Sequence, residues 1–113
     1  MEYEIIKDGK FDYLEVGEGE TLMLCHGLFG ALSNFSDLIE KFRHTHKVVV
    51  PILPLFDLDI LHTTVSGLEK HIAAFIEHKN YTNIHLLGNS LGGHVALVYV
   101  LKHPEKVKSL TLT

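Results

Sequence analysis

The chain has one cysteine, three prolines and no tryptophan in 113 residues. A lone thiol, Cys25, excludes an internal disulfide and suits a reducing compartment. Basic residues are outnumbered, ten Lys and Arg against fourteen Asp and Glu, and the net charge of −4 leaves no footprint for nucleic acid. Long apolar runs are missing too. The stretch VVVPILPLF is too short to cross a bilayer and is interrupted twice by proline. The amino terminus, MEYEIIKDGK, mixes charges of both signs, which excludes a signal peptide. These absences place the chain in the cytoplasm, with neither membrane nor nucleic acid as a partner. Repeats, low-complexity segments and linkers are absent as well, so residues 1–113 read as a single domain with one modest core.

Metal chemistry is excluded in the same way. There is no HExxH helix and no Cys/His cluster. His44 and His46 share one face of an extended segment, while His71 and His78 stand about two turns apart on one helix face. They read as surface or packing residues, with no metal and no cofactor.

What is present is an alternation. Residues 3–6 and 11–16 are β-prone runs around KDGK, an Asp-Gly turn signal, and predict a hairpin. Residues 21–25, TLMLC, form an apolar run suited to a strand buried on both faces. Helical spacing of Phe35, Leu38, Ile39 and Phe42 predicts a helix over 34–43. Residues 47–50 make a fourth strand, ended by Pro51 and Pro54, and FDLDILHT reads as loop. Over 63–79 an amphipathic helix places Val65, Leu68, Ile72, Phe75 and Ile76 on its apolar face and Glu69, Lys70 and Glu77 elsewhere. A fifth strand covers 84–87. The helix over 91–103 is apolar around most of its circumference and is expected to be deeply buried; Pro104 marks its end. SLTLT, 109–113, begins a sixth strand. The order predicts an α/β fold: a mostly parallel six-stranded sheet, helices on both faces, and the antiparallel hairpin at one edge.

Two loops carry chemistry. In LLGNSLGG a strand turns into a helix through G-x-S-x-G, a turn tight enough to hold Ser90 in a strained conformation with its hydroxyl above the sheet. Side chains two residues to either side would strike backbone, hence Gly88 and Gly92. The helix that follows aims free N–H groups at the same spot, so the Leu91 amide is one oxyanion donor. In HGLFG, Gly27 and Gly30 let backbone approach a ligand, and the Leu28 amide is the second donor. Cys25, at the end of the buried third strand, reads as a small core residue. Asp57 and Asp59 read as a solvated loop.

The succession hairpin, strand, HGxxG, helix, strand, helix, strand, GNSLGG, helix, HPEKV, strand resembles the first half of an α/β-hydrolase, over essentially the whole chain. The resemblance implies Ser90 as catalytic nucleophile and Leu28 and Leu91 as the oxyanion hole. It implies Gly88, Gly92 and Gly93 as the glycines of the nucleophile elbow. His26 and Gly27 belong to the oxyanion loop, with His26 supporting it by hydrogen bonding. HGLFG looks like small acyl-ester hydrolases and related thioesterases or lyases, whereas GNSLGG looks like carbon–carbon bond hydrolases of aromatic degradation. Where most members carry an Asp-x-Pro-Gly-x-Gly turn after the fourth strand, this chain has ILPLFD.

The resemblance also implies what this stretch does not hold. The family's triad acid and histidine follow later strands. After Ser90 the chain has one carboxylate, Glu105, and two imidazoles, His94 and His103, all on or beyond the following helix. The expectation is the N-terminal part of a hydrolase of esters or thioesters, with a small acyl substrate, inactive by itself. Carbon–carbon hydrolysis or lyase chemistry, and a non-catalytic binding module, are the competing readings. The sixth strand, with an unpaired edge, should self-associate across a two-fold axis.

Overall fold

The computed structural model describes residues 3–27, 32–54 and 65–113. Its elements run β1 (Ile6–Asp8), β2 (Phe11–Val16), β3 (Glu20–Cys25), α1 (Leu32–Phe42), β4 (His46–Pro51), α2 (Val65–Lys79), β5 (Ile84–Gly88), α3 (Leu91–Lys102) and β6 (Val107–Leu112). A single 3₁₀ turn, Pro104–Lys106, leads into β6. The six strands form one sheet in the order β1-β2-β4-β3-β5-β6. β4, β3, β5 and β6 are parallel, while β2 pairs antiparallel with β1 and β4. The expected α/β architecture is therefore the one observed.

Strand alternation splits the core in two. Leu24, Val48 and Val50 face Phe35 and Ile39 of α1, while Met23, Cys25, Val49 and Leu86 face α2 and α3 on the other side. Each fully buried aliphatic side chain contributes roughly 1.5–3 kcal/mol, so these central strands anchor the sheet. Phe11 joins the hairpin to α2, its ring 5.3 Å from both His71 and His78 and 5.5 Å from Phe75. Among the described residues no group of three or more potential metal ligands gathers, and no helix is long and apolar enough to cross a membrane.

The hairpin differs from expectation. β1 runs over Ile6–Asp8 because Asp8 pairs directly with Phe11 across a two-residue turn, with Gly9 at φ 62°. The earlier residues Tyr3 and Ile5 pack instead against the α1-side core, and the Tyr3 hydroxyl donates to the Glu40 carboxylate. β4 includes Pro51, which pairs with Tyr13 of β2, since pairing with β3 has already stopped at Val49.

Two burial expectations are corrected. α3 is buried on one face only, through Gly92, Gly93, Val95, Ala96 and Tyr99, while Leu97 and Leu101 are exposed. The reason is positional: α2 flanks α3 on one side, while among the described residues β6 is the last strand of the sheet on the other. Glu69, expected away from the apolar face of α2, is 1% exposed. It lies three residues before Ile72 and seven before Ile76, on the face that meets α3. Its Oε1 accepts from Lys102 Nζ at 3.0 Å, while Oε2 is buried without a hydrogen-bond partner.

That half-satisfied carboxylate carries a prediction. Lys102→Met should destabilise the chain by about 2 kcal/mol, less than for a fully buried pair because the Lys102 side chain is 48% exposed. Glu69→Leu combined with Lys102→Met should recover that loss or exceed it. Urea unfolding of the two variants measures the difference; a double variant less stable than the single one would contradict it.

Candidate active site

The site is built where β3 and β5 end side by side, Cys25 paired with Gly88. The turn after β5 is held at every amide but one. Asn89 N–H donates to Cys25 O at 3.0 Å, Ser90 N–H to Thr113 O at 3.2 Å, Gly92 N–H to Asn89 O at 2.9 Å and Gly93 N–H to Ser90 O at 2.9 Å. The Leu91 N–H finds no acceptor among the described residues. It is the first amide of a twelve-residue helix, where the peptide dipoles favour negative charge.

Ser90 occupies the N-cap of α3 with φ 57° and ψ −120° and makes no side-chain cap bond. A serine there ordinarily turns its hydroxyl back onto the helix amides. Here the left-handed φ directs the side chain elsewhere, and Ser90 is exposed. Asn80 and Asn83 are the other described non-glycine residues with positive φ, and asparagine tolerates that region far better than serine. Holding Ser90 so costs of order 1–3 kcal/mol. Ser90→Gly should therefore stabilise the chain by about 0.5–1 kcal/mol, after the added freedom of the unfolded glycine is subtracted. Ser90→Ala, which keeps the Cβ, should not. Thermal denaturation of the pair checks this, and an equal response would remove the strain argument.

The elbow glycines are explained by contact. A Cβ at position 92 would stand 2.2 Å from Cys25 O and 2.5 Å from His26 O; at position 88 it would stand 2.5 Å from Gly93 Cα. Only glycine lets the helix start press against the end of β3. Gly93 is looser, with 3.1 Å to Gly88 O. Gly27 closes the site from the other side. A Cβ there would lie 3.3 Å from Ser90 Cβ and 3.8 Å from Ser90 Oγ, so the HGLFG loop begins against the serine. Leu28, expected as an oxyanion donor, lies outside the described residues, as do Asp57 and Asp59.

His26 is buried and clamps two loops. Its Nε2 accepts from Leu53 N–H at 2.9 Å, which leaves Nδ1 to donate to Gly27 O at 2.7 Å. Burial depresses its pKa, only partly offset by the Gly27 bond. Burial likewise depresses His71, helped by Lys10. In both cases the folded state resists a proton that the unfolded chain accepts. The stability they contribute is full above about pH 6.5 and is lost as pH falls towards their folded values. The melting temperature should thus drop between about pH 7 and pH 5, and His26→Gln should flatten the slope. An unchanged slope would count against His26. Cys25 is fully buried and its thiol is pushed up to about 12, so it is inert at neutral pH.

No imidazole or carboxylate hydrogen-bonds Ser90 among the described residues. His94 is exposed on α3. His103 caps the far end of that helix, its ring 4.8 Å from Tyr99, with Glu105 beside it at 3.8 Å. Twelve residues of helix put these two about 18 Å from the turn. Sequence reasoning missed Leu53 and Thr113, which secure His26 and Ser90 through backbone groups that carry no side-chain signature.

A family described as alpha/beta hydrolase fold matches residues 20–113. Among solved structures, an alpha/beta hydrolase enzyme from the metagenome of sediments of the Mar Chica lagoon, Morocco, is similar with a TM-score of 0.91 and 43% identity. The match covers 96% of this chain and 50% of that one. Lipase 1 of Psychrobacter immobilis is 30% identical over 109 residues, 91% of this chain and 34% of the lipase. The 2-hydroxy-6-oxononadienedioate/2-hydroxy-6-oxononatrienedioate hydrolase 1 of Pseudomonas putida is 32% identical over 120 residues, 95% of this chain and 42% of that protein. The chain thus spans half or less of the length of these relatives.

Proposed function

Because the chain belongs to the alpha/beta hydrolase fold family, we propose that it forms the N-terminal part of a serine hydrolase acting on carboxylic esters or thioesters, with Ser90 as nucleophile. The observation that carries this is the N-cap serine itself. Its strained φ, its uncapped hydroxyl and the unused Leu91 N–H beside it suit a nucleophile facing an oxyanion site. A purely structural turn gains nothing from that strain.

In this reading Ser90 Oγ bonds to the acyl carbon while its proton passes to a histidine supplied by a further segment of polypeptide. The carbonyl electron pair moves onto oxygen, held by the amides of Leu91 and Leu28. Collapse expels the alkoxide or thiolate, which takes the proton back from the imidazolium. Water, activated by the same base, then releases the acid and frees Ser90. Without that base the chain alone is inactive towards esters.

The test mixes this chain with the C-terminal half of the lagoon-sediment relative and adds a fluorophosphonate probe. Labelling at Ser90 that requires both pieces supports the reading; labelling confined to another residue contradicts it. The likeness to the Pseudomonas putida hydrolase favours a second reading, cleavage of a carbon–carbon bond in a diketone-like substrate. Turnover of such a substrate, with none of simple esters, would select it.

A further inference from the structure

A cleft opens between α2 and α3 where both helices finish. Its volume is about 300 Å³, at the lower end of the range for small-molecule sites. Ala73, Ile76 and Glu77 of α2 form one wall, and Tyr99, His103 and Lys106 of the 3₁₀ turn form the other. The length of α3, about 18 Å, separates it from the Ser90 turn.

Tyr99 is 2% exposed, and its hydroxyl makes no hydrogen bond among the described residues. A buried hydroxyl ordinarily has a partner. Glu69 Oε2 is the one described side-chain oxygen that is both sealed from solvent and unpartnered. The Tyr99 oxygen therefore keeps an opening, and the cleft that its residue lines provides it. Burial, then the carboxylates of Glu105, Glu69 and Glu77, push its pKa up to about 12, so it stays a neutral O–H at neutral pH. Charge on the two walls is opposite and unspent. Glu105 lies 3.8 Å from His103, and Glu69 holds Lys102 at 3.0 Å. Glu77 and Lys106 line the same cleft and form no ion pair among the described residues.

We propose that this cleft binds a small zwitterion, an α-amino acid with an apolar side chain. Its ammonium donates to the Glu77 carboxylate and to the Tyr99 oxygen, where neighbouring carboxylates and two helix C-termini favour a cation. Its carboxylate accepts from Lys106 Nζ and from the Tyr99 O–H, so the hydroxyl is used both as acceptor and as donor. The apolar side chain lies on Ala73 and Ile76. A ligand with one charge only would leave either Glu77 or Lys106 unanswered.

Isothermal titration of the chain with L-leucine tests this, beside its decarboxylated form, isopentylamine, and its deaminated form, isocaproate. Leucine should saturate the chain at millimolar concentration, and each single-charge analogue should bind about ten-fold or more weakly. Tyr99→Phe keeps the ring that packs on His103, and Glu77→Gln alters an exposed side chain, so both variants should fold. Each should weaken leucine binding about five- to ten-fold. Absence of saturation by leucine would overturn the proposal. So would a single-charge analogue that binds as tightly, or an affinity unchanged in either variant.

Discussion

Ser90→Ala is expected to lower ester turnover by the two-piece hydrolase at least ~10³-fold, the scale on which loss of a serine nucleophile acts. The substitution removes one atom, Oγ, which caps nothing and has no hydrogen-bond partner among the described residues. It keeps the Cβ, and with it the backbone strain, so stability should change by less than about 0.5 kcal/mol. Activity and folding are thus separated in a single variant. Steady-state hydrolysis of an activated ester beside a urea melt reads both. Turnover within about ten-fold of the parent would take Ser90 out of the mechanism.

The largest effect on folding should come from Gly92→Ala. A methyl at that position would sit 2.2 Å from Cys25 O and 2.5 Å from His26 O, and both are backbone atoms. Rotamer changes cannot relieve the clash. Either α3 lifts off the end of β3 or β3 bends, and β3 is one of the two central strands of the sheet, fully buried at Met23, Leu24 and Cys25. A destabilisation of roughly 3–5 kcal/mol is expected, a large share of what a domain of this size possesses. Gly93→Ala gives the contrast, since 3.1 Å to Gly88 O calls for a shift of only a few tenths of an ångström. Urea midpoints of the two variants should differ plainly; similar midpoints would mean that the helix start has room to move.

What the sequence made legible follows the range of the signal. β2 is found over the β-prone run 11–16, and the α3 start lies at Leu91, because residue propensity beside a turn signal and a glycine-flanked serine are local patterns. The α/β order was legible for the same reason. Glu69 was not, since its burial depends on which helix lies opposite and on Lys102, thirty-three residues away. Neither was the exposure of Leu97 and Leu101: composition reports that α3 is apolar but not which flank has a neighbour. At the site, Ser90, Gly88 and Gly92 could be read from spacing. The contacts that seat them could not. Gly27 against Ser90, Leu53 on His26 and Thr113 on Ser90 are meetings of distant backbone.

The bond from Ser90 N–H to Thr113 O makes the serine's own amide a gauge of the strand beside it. Whenever the end of β6 frays, that amide is released to solvent and its proton becomes free to exchange. Its exchange rate therefore measures how often the last residues of β6 leave the sheet, and nothing in the chemistry of the hydroxyl enters. The position of the candidate nucleophile is thus tied to the end of β6 by one backbone bond.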